Sequence, residues 1–336
     1  MRLVVGACLL LVAGAGPALA DDVCPGHRDA LGTSRVLTIS PDEFARIGSM
    51  QYKQSLPLAD HEVVITFDDG PLPPYSNFIL DTLASQCVKA TYFIVGQMAH
   101  AYPWVLRRMY NEGHTIGTHS LDHPFGFERL GLPRVEQEVE GGIASVDAAI
   151  GDPKAVSPFF RIPGLGRSKV DESFLASQHL VTWSADVVAD DWFRGISAQQ
   201  IVKRAIRRLE AKGRGILLLH DIHPATAMAL PMILKELKAR GYHVVQVVAK
   251  GGRPASVPEL VAAPDKGAWP RVLKTSAEVT AVDKPVLHHR IKKALAGKHR
   301  RATVASAPTF GFASFGDWRR QQFWRPLSPD LPTAGG

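Results

Sequence analysis

Carboxylates and imidazoles cluster at a few points of the chain, and their spacing is typical of a hydrolytic metal site. Asp68 and Asp69 are adjacent and precede a Gly-Pro turn. His119 and His123 are four residues apart, which places both side chains on one side of a helical turn. Two imidazoles and a carboxylate suit Zn²⁺ and leave one coordination position open, although Co²⁺ or another divalent ion accepts the same ligands. An acidic turn and a pair of surface histidines are the alternatives when each cluster is taken alone.

Three further polar segments follow apolar runs later in the chain. They contain Arg161 in R-I-P-G, the acids Asp186 and Asp191 in a stretch that ends at Trp192, and His220 after L-L-L. An imidazole with a pKa near ~6.5 can protonate a departing amine at neutral pH. A surface arginine, an acidic loop and a buried histidine are the alternatives for the single segments. Because all five clusters follow apolar runs, we expect them to share one edge of the fold.

The apolar runs alternate with amphipathic stretches, which predicts an α/β domain over residues 59–250. We expect seven strands, at residues 63–67, 91–95, 114–117, 158–161, 180–185, 216–219 and 243–247. The six helices between them are expected at residues 75–87, 104–112, 134–150, 173–178, 198–211 and 228–240. Such alternation indicates a parallel sheet with helical crossovers. Seven strands favour a distorted (β/α)7 barrel over an open doubly wound sheet, with the active site at the carboxyl ends of the strands.

The start of the chain is typical of an exported protein. Residues 1–20 have one early arginine, an apolar run and a small-residue end, which predicts a signal peptide cleaved before Asp21. The apolar run is too short to span a bilayer, so we expect no transmembrane span in the mature chain and a periplasmic or secreted location. Export permits disulfides, but the sequence leaves open whether Cys24 and Cys87 pair.

Two flanking segments differ from the α/β domain. Residues 21–58 are interpreted as an N-terminal arm with one short helix at 41–47, and residues 251–336 as a basic, proline-rich, partly extended tail. The 336-residue chain has a formal charge of +7, yet the tail holds 14 Lys and Arg against 6 Asp and Glu, which leaves 25 against 26 elsewhere. We therefore expect no nucleic-acid partner. The tail either holds the protein near an anionic wall or surface polymer, or is an inert solvated segment.

The polar segments, taken together, resemble a known enzyme family. The blocks T-F-D-D-G, H-S-x-x-H, R-x-P, D…D-W and L-L-L-H-D occur in the order seen in polysaccharide deacetylases, the NodB-homology enzymes of carbohydrate esterase family 4. The resemblance covers about residues 59–248 and excludes the arm and the tail. It implies a distorted seven-stranded β/α barrel that removes N-acetyl groups from sugars with the help of a metal.

The resemblance also implies a role for each matching residue. Asp69, His119 and His123 look like the metal ligands. Asp68 looks like the general base, and Arg161 like the group that orients it. The general acid looks like His220, tuned by Asp186 through the Arg161 network, with Asp191 as the rival because it is adjacent to Trp192. The lining of the acetyl and sugar pocket is expected to include Gly164, Trp192 and Leu218.

We therefore expect a metal-dependent hydrolase that removes N-acetyl groups from glycans containing N-acetylglucosamine and releases acetate. Peptidoglycan, chitin oligomers and an exported polysaccharide are the candidate substrates. The alternatives are a non-catalytic glycan-binding module on the same fold and a metal amidohydrolase that acts on a non-carbohydrate C–N bond. A binding module has no need for both Asp68 and His220, so the intact motifs favour an enzyme.

Overall fold

The computed structural model describes residues 24, 27, 29–152 and 154–251. The predicted signal peptide at residues 1–20 lies outside the described residues. So does the tail after residue 251, together with its predicted role in binding an anionic polymer. Within the described part of the chain, no helix combines the length and the apolar character needed to cross a membrane.

Strands of the described region run parallel in one sheet. Their bounds are β1 (Thr33–Ile39), β2 (Arg46–Ile47), β3 (Glu62–Asp68), β4 (Thr91–Ile94), β5 (Thr115–Thr118), β6 (Val156–Arg161), β7 (Val181–Trp183), β8 (Val187–Val188), β9 (Gly215–His220) and β10 (His243–Ala249). Their order is β1-β10-β3-β4-β5-β6-β7-β2, and β9 pairs with both β3 and β8. All seven predicted strands are present, as β3 to β7, β9 and β10.

The sheet is barrel-like, with a break between β7 and β8. β7 pairs with β6, and the chain then passes through Ser184, Ala185 and Asp186 into β8, which pairs with β9. β9 in turn pairs with β3 along its length. The strands from β3 to β9 thus return to their starting point, and the ring is interrupted where the chain changes partners. The predicted distorted barrel is confirmed as this open, barrel-like sheet.

Helices form the connections between the strands. Their bounds are α1 (Tyr75–Ser85), α2 (Gly96–Ala101), α3 (Pro103–Asn111), α4 (Leu132–Ile150), α5 (Lys169–Ser177), α6 (Ala198–Lys212) and α7 (Pro224–Ala239), with 3-10 turns at Phe127–Arg129 and Pro163–Leu165. The six predicted helices are present. α2 is not predicted by the sequence analysis, because six residues are too few to show a helical period.

The main core lies between the helices and the strands that carry the candidate site. All seven residues of β3 are buried, as expected for a central strand of a parallel sheet covered on both faces. Ile65 and Phe67 of β3 belong to a buried cluster with residues of β4, β9, α1, α3, α6 and α7. The strand that ends at Asp68 is therefore fixed by packing on both sides.

The N-terminal arm adds strands to this sheet, where the sequence analysis expects one short helix. β1 pairs with β10 and β2 pairs with β7, so the predicted helix at residues 41–47 is wrong: the segment is a turn that ends in β2. Side-chain exposure alternates along β1, the period-2 pattern of a strand. Cys24 and Cys87 form a disulfide with a Cα–Cα distance of 5.5 Å, which joins the arm to the loop after α1.

Candidate active site

Predicted site residues converge because they occupy equivalent ends of neighbouring strands. Asp68, Arg161 and His220 are the last residues of β3, β6 and β9, and His119 directly follows β5. In a parallel β/α fold these carboxyl ends lie on one face, where active sites are found. The local backbone adapts to this role, because Asp69 has a φ of 77°, a left-handed conformation that is uncommon for a residue with a side chain.

Asp69, His119 and His123 form a buried triad that fits a divalent cation. Oδ1 of Asp69 lies 3.4 Å from Nε2 of His119 and 3.4 Å from Nε2 of His123. Ligand atoms at ~2.0–2.1 Å from a tetrahedral ion lie ~3.3 Å apart, so this spacing matches a zinc site. Among the described residues, Oδ1 of Asp69 has no hydrogen-bond partner although it is buried. Burying a carboxylate oxygen without a hydrogen-bond partner costs free energy, and a bound cation would offset this cost.

The hydrogen bond of His119 sets it up as a ligand. Its Nδ1 lies 2.6 Å from the carbonyl oxygen of Arg161, which can only accept, so Nδ1 carries the proton and Nε2 presents its lone pair to the triad. Burial lowers the pKa of His119 to about 4, which keeps the imidazole neutral at neutral pH. Burial alone would raise the pKa of Asp69, but the imidazoles of His123, His220 and His119 lower it below its ordinary value.

Asp68 lies beside the triad and is held by Arg161. Nη1 of Arg161 donates to Oδ1 of Asp68 at 2.6 Å, and both side chains are buried. The same guanidinium donates to Oγ1 of Thr66 at 2.9 Å and to the carbonyl of Ser184 at 3.0 Å. Oδ2 of Asp68 lies 3.9 Å from Nε2 of His119. One oxygen of Asp68 is therefore fixed by Arg161, while the other faces the triad.

His220 forms a second ionisable pair, with Asp191. Its Nδ1 donates to Oδ1 of Asp191 at 2.8 Å, and Oδ2 of Asp191 accepts the backbone N–H of His220 at 2.7 Å and the hydroxyl of Thr226 at 2.6 Å. Burial would lower the pKa of His220, but the charge of Asp191 and its hydrogen bond raise this pKa well above the usual value. The imidazole is therefore protonated at neutral pH.

Asp186 lies elsewhere, so the structure favours the rival assignment. Asp186 accepts hydrogen bonds from the backbone N–H of Ser49 at 2.7 Å, from the hydroxyl of Ser55 at 2.8 Å and from the N–H of Ile216 at 2.8 Å. The reason is β8: Asp186 precedes this strand and lies near the start of β9. Asp191 comes after β8 and is carried to the end of β9, beside His220. Asp186 ties the N-terminal arm to the sheet.

The three residues expected to line the pocket lie near the ends of the same strands. The ring of Trp192 is edge-on to the ring of His220, with 5.5 Å between their centroids. Gly164 is exposed in the 3-10 turn after β6, with a left-handed φ of 61°. Leu218 is buried and pairs with Thr66 across β9 and β3. The contacts of these residues with a substrate stay predictions.

A buried carboxyl beneath the site was not given a role by the sequence analysis. Asp221 follows His220, and its Oδ2 accepts the hydroxyl of Ser76 at 2.5 Å. A Cβ on Gly70 would lie 2.1 Å from Oδ1 of Asp221, so only glycine fits where the chain turns after Asp69. Burial raises the pKa of Asp221 to about 7. The signal in the sequence is the final Asp of L-L-L-H-D, which supports the turn that carries Asp69.

Comparison with known proteins identifies the family. Residues 56–178 match the family model described as polysaccharide deacetylase. A peptidoglycan-N-acetylglucosamine deacetylase of Bacillus cereus is 31% identical over 211 residues, which cover 60% of this chain and 72% of that protein. The chain belongs to the polysaccharide deacetylase family. A second deacetylase of this family, the peptidoglycan-N-acetylglucosamine deacetylase PgdA of Listeria monocytogenes, is 32% identical over 185 residues, 55% of this chain but 38% of that protein.

Solved structures of polysaccharide deacetylases share the fold. The peptidoglycan deacetylase Bd3279 of Bdellovibrio bacteriovorus superposes with a TM-score of 0.57 at 32% identity, over 64% of this chain and 58% of that chain. The fold is also shared by BA3943 of Bacillus anthracis, a family 4 pseudoenzyme, with a TM-score of 0.53 at 22% identity, over 62% of this chain and 68% of that chain. Because a pseudoenzyme has the same fold, activity has to be argued from the residues of the site.

Proposed function

We propose that this polysaccharide deacetylase is a metal-dependent N-deacetylase of glycans that contain N-acetylglucosamine, and that it releases acetate. The observation that carries the proposal is a separation of tasks within one site. Asp69 and two imidazoles surround one point, while Asp68 is held beside that point by Arg161. His220, at the end of the neighbouring strand β9, is kept protonated by the carboxylate of Asp191. A glycan-binding module needs neither the held base nor the charged acid.

The triad supplies the metal chemistry of the proposal. A divalent cation held by Asp69, His119 and His123, most simply Zn²⁺, would polarise the acetyl carbonyl and lower the pKa of a nearby water. The chain prepares this site with a neutral His119, whose Nε2 is available as a ligand, and with a carboxylate whose pKa is lowered.

The two proton carriers, Asp68 and His220, are Cα partners at the ends of the neighbouring strands β3 and β9. Asp68 keeps one oxygen on Arg161 and can accept the proton of the attacking water with the other. As the C–N bond breaks, the amine nitrogen gains a proton, which His220 carries on its second ring nitrogen. The oxygen of the water thus ends in the carboxylate of acetate, the acetyl C–N bond is broken, and the sugar keeps a free amine. Each such proton carrier is typically worth ~10²–10⁴-fold in rate.

Peptidoglycan is the substrate we favour, and the proposed location is outside the cytoplasm. The relatives from Bacillus cereus and Listeria monocytogenes are named for peptidoglycan N-acetylglucosamine, a wall polymer. The disulfide between Cys24 and Cys87 supports export, because such bonds persist in oxidising compartments. The partly exposed ring of Trp192 beside His220 is suited to stacking on a sugar.

The test measures acetate released by the purified chain from peptidoglycan fragments and from chitin oligomers. We expect activity that is lost on chelation and restored by Zn²⁺ or Co²⁺. Asp68→Asn should still bind zinc but lose turnover by ~10²–10⁴-fold, because Asn cannot accept the proton. Turnover of this variant near the wild-type rate would contradict the assigned base. Wild-type protein that binds zinc and a glycan without releasing acetate would indicate a binding module.

A further inference from the structure

The ligand loop, residues 119–123, carries both histidines of the triad and is held from one side by the start of α2. The backbone N–H of Gly96 donates to the carbonyl of Ser120 at 2.9 Å, and the N–H of Gln97 donates to the carbonyl of Leu121 at 2.9 Å. These bonds engage the carbonyl groups of the loop. The amide groups between the two histidines point the other way and need an acceptor.

Glu138 of α4 provides that acceptor. Its Oε2 accepts the N–H of Leu121 at 3.0 Å and the N–H of Asp122 at 3.1 Å. The side chain is completely buried, which is rare for a glutamate unless it has partners. Burial and the neighbouring carboxylate of Asp122 raise the pKa of Glu138 to about 7, and Arg134, which lies 2.6 Å from Oε1 of Glu138 and 2.8 Å from Oδ2 of Asp122, opposes this. One carboxylate therefore binds two consecutive amides between the two histidines.

The ligand loop depends on such support, because its backbone is in an uncommon conformation. Ser120 and His123 have φ values of 68° and 55°, in the left-handed region that residues with a Cβ seldom adopt. α4 also approaches very closely: a Cβ on Gly142 would lie 2.7 Å from the carbonyl carbon of Ser120. The loop is thus clamped between α2 and α4, and Glu138 is the side chain of α4 that binds its amides.

We propose that Glu138 is a positioning residue of the metal site, which sets the spacing of His119 and His123 by holding the two amides between them. It lies outside the sequence motifs of the site and has no contact with the ligand atoms. The inference rests on the proposed function, since it assumes that the triad binds a metal. Oε2 of Glu138 has to reach the two amides from the backbone of α4. The length of the side chain should therefore matter more than its charge.

The test compares zinc affinity of the full, metal-free chain across variants of matched length or charge. Glu138→Gln keeps the length of the side chain and an acceptor oxygen but loses the charge. Arg134 loses its ion-pair partner in this variant, but its guanidinium is partly exposed and can be solvated instead. Glu138→Asp keeps the charge but withdraws the oxygen. Competition with a chromophoric chelator should give near-wild-type affinity for Glu138→Gln and ~10- to 100-fold weaker binding for Glu138→Asp. The control is Glu140→Asp, exposed on the same helix, which should bind like wild type.

The Co²⁺ absorption spectrum gives a second measure, because it reports ligand geometry directly. Glu138→Asp should change the d–d bands, whereas Glu138→Gln should reproduce the wild-type spectrum. Wild-type affinity in Glu138→Asp would overturn the inference. Weakened binding in Glu138→Gln would also overturn it, and this holds even if the Asp variant does not fold. Failure of the wild-type chain to bind Zn²⁺ would instead overturn the proposed function and this inference with it.

Discussion

His119 and His220 belong to the same site and are prepared for opposite tasks. Both are surrounded by protein, and both donate a hydrogen bond from Nδ1. The acceptor is the carbonyl of Arg161 for His119, whose pKa falls to about 4 through burial, and the carboxylate of Asp191 for His220, whose pKa is raised. For His119 the cost of burial outweighs the nearby carboxylates of Asp68 and Asp69, whereas for His220 the charge and the hydrogen bond of Asp191 outweigh it. One residue type thus serves as ligand or as acid according to its neighbour.

The largest effect should come from removing each histidine in turn. His119→Ala deletes a ligand, so zinc affinity should fall by more than the ~10- to 100-fold typical of an outer partner, and acetate release should fall to background. His220→Ala should bind zinc like wild type but lose ~10²–10⁴-fold in kcat. Zinc titration and acetate release check both variants. Equal loss of zinc from the two would show that the tasks are not divided in this way.

Asp191→Asn should convert His220 toward the state of His119. The carboxylate that raises the pKa of His220 is lost while the burial that lowers it remains, so this pKa falls. A general acid works only when protonated, so the alkaline limb of the pH–kcat profile should move to lower pH by ~1–3 units. The control is Asp190→Asn, because Asp190 pairs with Arg204 and Arg208 and should leave the limb in place. An unmoved limb in Asp191→Asn would contradict this assignment.

Asp186→Asn should have the smallest effect on catalysis. This variant distinguishes the role of Asp186 from that of Asp191, the other acid of the D…D-W block. Both carboxylate oxygens of Asp186 accept hydrogen bonds. The side-chain nitrogen of the new Asn cannot accept, so some of these donors would lose their partner. We expect a loss of ~1–3 kcal/mol in the free energy of unfolding, measured in denaturant. The pH–kcat profile should keep its wild-type shape. A shift of the alkaline limb would show that Asp186 acts on His220 after all.

Local patterns in the sequence were enough to predict the strands that build the site. Seven apolar runs predict β3 to β7, β9 and β10, because a parallel strand buried on both faces has a continuous apolar sequence. The arm was misread, since β1 and β2 gain their stability from pairing with β10 and β7. Such pairing joins residues that are far apart in the sequence, such as Thr33 with Val244 and Arg46 with Thr182, and no local pattern records it.

The candidate site was predictable in its residue types but not in all its pairings. The two histidines and the adjacent acids predicted the triad that the structure brings together. The predicted helical turn at the histidines is wrong, because residues 119–123 form a loop in which Ser120 and His123 are left-handed. The choice between Asp186 and Asp191 depended on β8, a two-residue strand too short to leave a period in the sequence. Glu138 carries no such signal, because a glutamate on an amphipathic helix is ordinarily a solvated residue.

Arg161 has two contacts in the site, one through its side chain and one through its backbone. Its guanidinium holds Asp68, and its carbonyl accepts a hydrogen bond from Nδ1–H of His119. A substitution at this position can remove the first contact but leaves the carbonyl in place. A movement of the end of β6 would therefore disturb the base and the ligand at the same time.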